Sequence, residues 1–173
     1  MKKKLLTAAV LVFIAGLLVL FAMPSYRQGE PSLSGKPAKD FAFTLDGKPE
    51  RLADMRGKVV LLNFWATWCP PCVEEAPALN QLQGRIAAKG GTILGVSVDD
   101  DQEAYDDFLK MYGIDFPTYR DAAKQIPGEY GTSMYPETYV INRDGRIERK
   151  IIGPQDWTSP TMLAYLDTIL DEK

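Results

Sequence analysis

Apolar and polar positions follow different rhythms in successive stretches of the chain. Positions 41–45 and 51–52 flank Asp46-Gly47, a short hairpin signal. The stretch 58–65 (KVVLLNFW) is a continuous apolar run rich in Val and Leu, which suits a central strand covered on both faces. Over 70–89 the rhythm changes. Val73, Ala76, Leu79, Leu82 and Ile86 recur at helical spacing behind Pro70 and Pro71, and Gly90-Gly91 stops the helix. A second buried strand is predicted at 92–98 (TILGVSV), then a helix at 101–112 with Tyr105, Phe108, Leu109 and Tyr112 on one stripe. A short polar helix is expected near 121–130. Stretches 137–142 and 146–152 flank the turn Arg143-Asp144-Gly145, and 157–170 closes the chain as an amphipathic helix. The order is β-hairpin, β-α-β-α, then β-β-α. This is an α/β fold with a parallel βαβ unit and antiparallel strands added later.

The amino terminus has a different pattern. Lys2, Lys3 and Lys4 precede an uncharged run over 5–23, 19 residues long. As a helix it spans roughly 28 Å, about a hydrocarbon core. Lysines before the run predict an amino terminus in the cytoplasm and the remainder of the chain outside. A cleaved signal peptide is the alternative, but cleavage after Ala22 would put Leu20 where a small residue is wanted. Residues 24–37 are rich in Pro, Ser, Gly and charge and read as a flexible tether. The chain thus divides into a stub and anchor (1–23), a linker (24–37) and one folded domain (38–173).

Composition then narrows the chemistry. The 173 residues include 2 cysteines and no histidine, with 20 basic against 23 acidic side chains. Without histidine there is no Ser-His-Asp or Cys-His pair and no histidine-ligated metal. Two cysteines cannot fill a tetrahedral zinc site, so no metal is expected. A formal charge of −3 argues against a nucleic-acid partner. What remains must run on thiols or carboxylates.

Both cysteines lie in Trp68-Cys69-Pro70-Pro71-Cys72, where a buried strand turns into a helix. A C-x-x-C at such a junction is a redox motif. Cys69 at the helix start is the attacking thiol, since free N–H groups and the helix dipole favour a thiolate there. Cys72, one turn in and less exposed, is the resolving thiol. A purely structural disulfide competes weakly, because so small a ring constrains little chain. Half of a metal site is the other bland reading. Glu75 leans back toward the cysteines, yet on spacing alone it reads as a solvated carboxylate beside Glu74. Pro136, on its own, reads as a strand-edge proline. The run Asp99-Asp100-Asp101 reads as a strand-end loop with a helix N-cap.

FWATWCPPC with the preceding VVLLN, the opening KPAKDFAFTLDG, the stretch LADMRGK, Glu75 and Pro77, and YPETYVINRDG occur in order. Together they resemble the thioredoxin-like proteins, most closely the membrane-anchored TlpA/ResA/CcmG group. The resemblance implies a thioredoxin fold, with a mixed central sheet flanked by helices and an added N-terminal hairpin, and thiol-disulfide exchange as the activity. It needs no cofactor beyond the Cys69–Cys72 disulfide. It implies a buried Glu75 that takes the proton of Cys72 or raises the thiol pKa values. It also implies a cis Tyr135-Pro136 bond facing the disulfide, with Tyr135 offering its backbone to a substrate peptide. Thioredoxin itself has a buried acid six residues before the first cysteine; Asn63 stands there in this chain, so Glu75 is the substitute. Trp68 is expected on the docking surface beside the sulfurs, and Trp65 in the core.

Pro70 and Pro71 tune the redox balance. Pro71 removes an amide that a Cys69 thiolate could accept from, and Glu75 adds negative charge, so the dithiol is not specially stabilised and a reductant is favoured. The resemblance supplies a membrane electron donor of DsbD or CcdA type. Its targets would be apocytochrome c or cytochrome oxidase copper-site assembly proteins. An oxidase or isomerase on the same fold is the alternative; a copper-binding or redox-sensing module fits less well, since neither the wider cysteine spacing nor a histidine is present.

Overall fold

A computed structural model describes residues 33–172. The anchor expected over 1–23 and most of the expected tether lie outside the described residues. Among the described residues no helix is long and apolar enough to cross a membrane.

The leading hairpin pairs β1 (Ala42–Leu45) with β2 (Lys48–Arg51), turning through Asp46 and Gly47, both at positive φ. A short 3-10 turn, Leu52–Met55, leads into β3 (Val59–Trp65), every residue of which is buried. Helix α1 (Pro70–Ala87) and β4 (Gly91–Ser97) complete the βαβ unit, β3 and β4 being parallel. Then follow α2 (Gln102–Tyr112), β5 (Thr118–Arg120), α3 (Gln125–Tyr130), β6 (Glu137–Ile141), β7 (Ile147–Ile152) and α4 (Pro160–Asp171). The sheet order is β5-β4-β3-β6-β7, with β6 antiparallel to both neighbours. This is the thioredoxin fold with an added hairpin.

Because β3 is central, its alternate side chains supply two cores. Val60, Leu62 and Phe64 face Phe41 and Phe43 of the hairpin region, Tyr130 of α3 and Tyr139 of β6. Val59 and Leu61 face Leu79, Leu82 and Ile86 of α1 and Leu166, Ile169 and Leu170 of α4. At the end of β3, Trp65 packs against Tyr105 and Phe108 of α2, with ring centroids 5.9 and 4.8 Å away, as its expected core role requires.

Several boundaries differ from the sequence expectation for local reasons. Strand β5 has three residues, too few to show an alternating pattern. Helix α3 starts at Gln125 rather than near 121, because the Asp121 carboxylate accepts from the Ile126 N–H at 2.7 Å and Lys124 is left-handed, so 121–124 form a capping turn. Helix α4 starts at Pro160 behind the N-cap Ser159, which leaves Trp157 outside the helix expected to contain it. Among the described residues, pairing of the amino-terminal side begins at Gly35, whose N–H donates to the Ile147 carbonyl. Pro37 bridges Arg146. This contact lies at the pole where β3 begins, opposite the cysteines.

One side chain closes that pole. Arg143, in the turn before β7, donates to the carbonyls of Gly57 (2.6 Å), Lys89 (2.9 Å), Leu170 (2.9 Å) and Glu172 (3.1 Å). It thereby ties the start of β3 to the C-terminal ends of α1 and α4, where carbonyls lack helical partners and a cation is favoured. Arg143→Ala is expected to lower unfolding free energy in urea by about 2 kcal/mol. Arg146→Ala, which frees one exposed contact to the Gly35 carbonyl, should cost less than half of that.

Candidate active site

Strand β3 ends at Trp65, and the chain turns through Ala66, Thr67 and Trp68 before α1 begins. Asp99, at the end of the neighbouring β4, holds that turn. It is 1% exposed, and its carboxylate accepts from the Thr67 N–H (3.1 Å), the Thr67 hydroxyl (2.7 Å) and the Ser97 hydroxyl (2.6 Å). The following acid, Asp100, pairs with Lys124, and Asp101 is the N-cap of α2 as expected. Three adjacent acids therefore do three separate structural jobs.

Cys69 is the N-cap of α1 and forms a disulfide with Cys72, the Cα atoms 5.3 Å apart. Pro70 and Pro71 fill the first two helical positions, which need no N–H. The next two N–H groups, of Cys72 and Val73, donate to the Cys69 carbonyl at 3.0 and 3.1 Å. The difference in exposure expected between the two cysteines is small in the disulfide form: 4% for Cys69 and 3% for Cys72. Both are packed into the cluster of Trp65, Val98, Tyr105 and Phe108, with Tyr135 against it.

Trp68 is 60% exposed and lies at the surface. Its ring meets that of Tyr135 edge-on at 6.0 Å. The Tyr135-Pro136 bond is cis, and the Pro136 carbonyl accepts from the Gly153 N–H at 2.9 Å. Met134, beside Tyr135, is exposed too. Trp68 and Tyr135 thus give the disulfide an apolar margin.

Glu75 lies one turn beyond Cys72 and is buried, whereas Glu74 points to solvent. Oε1 accepts from Asn63 Nδ2 at 3.2 Å; Oε2 accepts from Trp157 Nε1 at 3.1 Å and from the Gln155 N–H at 3.4 Å. Burial pushes its pKa up from 4.5 to about 7, against the pull of those donors, which favour the ionised form. A carboxyl titrating there can accept or return a proton at neutral pH.

Residues 34–150 match the AhpC/TSA family. Over 171 residues, covering 97% of this chain and 98% of the relative, the sequence is 35% identical to the thiol-disulfide oxidoreductase ResA of Bacillus thuringiensis (strain Al Hakam). The chain belongs to the TlpA/ResA/CcmG family. The ResA of Bacillus subtilis (strain 168) is 33% identical over 158 residues, 88% of each chain. A crystal structure of a thiol:disulfide interchange protein from Chlorobium tepidum TLS superposes with a TM-score of 0.68 at 30% identity, covering 79% of this chain and 97% of that one. As a member of the TlpA/ResA/CcmG family, the chain is a thiol-disulfide oxidoreductase.

Two residues that donate to Glu75 have roles that the residue pattern does not announce. The amphipathic rhythm puts Trp157 inside the last helix; the Ser159-Pro160 pair, an N-cap followed by a first-turn proline, is the signal that places it before the helix. Asn63, which stands where thioredoxin has an acid, is a donor to Glu75.

The raised Glu75 pKa makes stability depend on pH. Its contribution is fully present below about 4.5, where the group is protonated folded or unfolded, and is lost as pH rises through about 7. Urea titration of the oxidised protein, whose cysteines do not ionise, should show about 2–3 kcal/mol less stability at pH 8 than at pH 5 from this group. In Glu75→Gln that slope should flatten.

Proposed function

We propose that the chain is an extracytoplasmic, membrane-anchored reductase that passes electrons from the Cys69 and Cys72 thiols to protein disulfides. The observation that carries the direction is the amino terminus of α1. Its first two residues have no N–H and the next two are committed to the Cys69 carbonyl. A Cys69 thiolate therefore gains little from the helix start, and the dithiol form is not specially stabilised. Such a pair gives up electrons readily.

The reaction divides between the residues as follows. Cys69 Sγ attacks one sulfur of the substrate disulfide, and the other leaves as a thiolate. Cys72 gives its proton to the Glu75 carboxylate and attacks Cys69 Sγ, which releases the second substrate sulfur. Two electrons have then moved to the substrate, and the Cys69–Cys72 disulfide has formed. Trp68, Tyr135 and the Pro136 region receive the substrate chain as an extended segment. A membrane dithiol donor of DsbD or CcdA type restores the reduced pair. The lysine-led uncharged run over 5–23 supports the anchor, and the family resemblance supports apocytochrome c or copper-site assembly proteins of cytochrome oxidase as targets.

Equilibration with glutathione or dithiothreitol should give a midpoint potential below about −200 mV; a value near the −120 mV of a strong oxidant such as DsbA overturns the direction. Cys72→Ser should accumulate mixed disulfides through Cys69. A variant that traps no protein, while Cys69 remains alkylatable, removes substrate exchange at that thiol.

A further inference from the structure

We infer that Trp157, together with Asn63, is a positioning residue for the exchange reaction: the two side chains grip opposite oxygens of Glu75 and tie its carboxyl to the strand that follows cis Pro136. The inference rests on the reading of Glu75 as the proton acceptor and adds what holds that acceptor in place.

The grip is built from three separate segments. Asn63, on β3, spends both protons of its amide, one on Glu75 Oε1 at 3.2 Å and one on the Thr138 hydroxyl at 2.9 Å. Thr138 pairs with Asn63 across the sheet and stands two residues after Pro136. Trp157 donates its indole N–H to Oε2 and is itself 1% exposed, fixed in the core with Leu79 and Leu166. An indole so placed has no water to donate to instead, and an indole nitrogen cannot act as an acceptor. The segment carrying it is also pinned at its start, where the Gly153 N–H donates to the Pro136 carbonyl. The carboxyl and the Pro136 strand therefore share two links, one through Asn63 and Thr138, the other through 153–157.

Every side-chain and backbone partner of Glu75 is a donor, so the surroundings favour its ionised form while burial opposes it. Among the described residues no other charge settles the balance. On α1, Cys72 is in the disulfide and Glu74 faces solvent. On β6, Glu137 projects to the other face of the sheet from Thr138 and pairs there with Lys150, and Tyr139 lies on that face too. Next to Trp157, the exposed Asp156 carboxylate accepts from the Thr158 N–H and hydroxyl. Removing the indole N–H thus leaves burial less opposed and shifts Glu75 toward the protonated form.

The test follows the Glu75 carboxyl carbon by 13C NMR across pH 4–9 in the oxidised full chain in detergent micelles, with glutamate labelled. Two substitutions are compared with the parent: Trp157→Phe, and 3-benzothienylalanine at 157, which keeps the ring shape and puts sulfur in place of N–H. The midpoint should rise by about 1 pH unit in both, a tenfold gain in proton affinity. An unmoved midpoint in the folded benzothienyl protein overturns the inference, whatever Trp157→Phe does to stability. The pH profile for reduction of a disulfide peptide should then move by the same amount. A carboxyl midpoint that moves while the rate profile stays supports the grip and removes the proton-acceptor reading beneath it.

Discussion

A carboxyl group kept out of water behind a redox-active disulfide is the constraint on which the rest of the structure depends. An isolated buried carboxylate is strongly disfavoured, and an acid with no donors would simply remain protonated. Glu75 avoids both extremes because three donors reach it from β3 and from the segment before α4. Those donors stay in place only if α1 and α4 pack on the same face of the sheet, and the apolar contacts of Leu79, Leu82, Leu166 and Leu170 with Val59 and Leu61 ensure that they do. The chemistry of one proton and the packing of half the domain are thus one problem.

The strand after Pro136 shows how the opposite face is handled. Thr138 is held on one side by Asn63, and Glu137 on the other by Lys150 at 2.7 Å, with both ionic side chains buried. Breaking a buried ion pair on one side only leaves an uncompensated charge, at a cost of roughly 3–5 kcal/mol. The backbone at the Pro136 end of β6 is consequently pinned from both faces of the sheet. Asp99 does the comparable job on the other flank of the disulfide, where it fixes the turn through Thr67. The reacting sulfurs sit between two backbone segments that polar side chains hold still.

Much of this was legible in the residue pattern, and the misses have physical causes. Strand β3 was readable as central because an apolar run without alternation needs cover on both faces. The C-x-x-C was readable as chemistry because it falls where that run meets a helical rhythm. The Asp46-Gly47 turn and the capping role of Asp101 were likewise local. Strand β5 was not readable, since three half-buried residues carry no period. Nor could spacing alone reveal the burial of Glu75, because its partners come from 12 and 82 positions away. Long-range donors leave no local rhythm; the family resemblance, not the periodicity, pointed to that residue.

The pairing of Gly35 and Pro37 with β7 sets a geometric condition on everything attached before it. That contact is at the pole where β3 begins, and the disulfide follows the strand's far end, seven residues and roughly 23 Å along. A body gripping the domain at the Gly35 pole casts its steric shadow over the wrong end to cover the sulfurs. The reacting face is left open to large, folded partners, and a donor lying in the plane of attachment could meet it only after the domain had turned over.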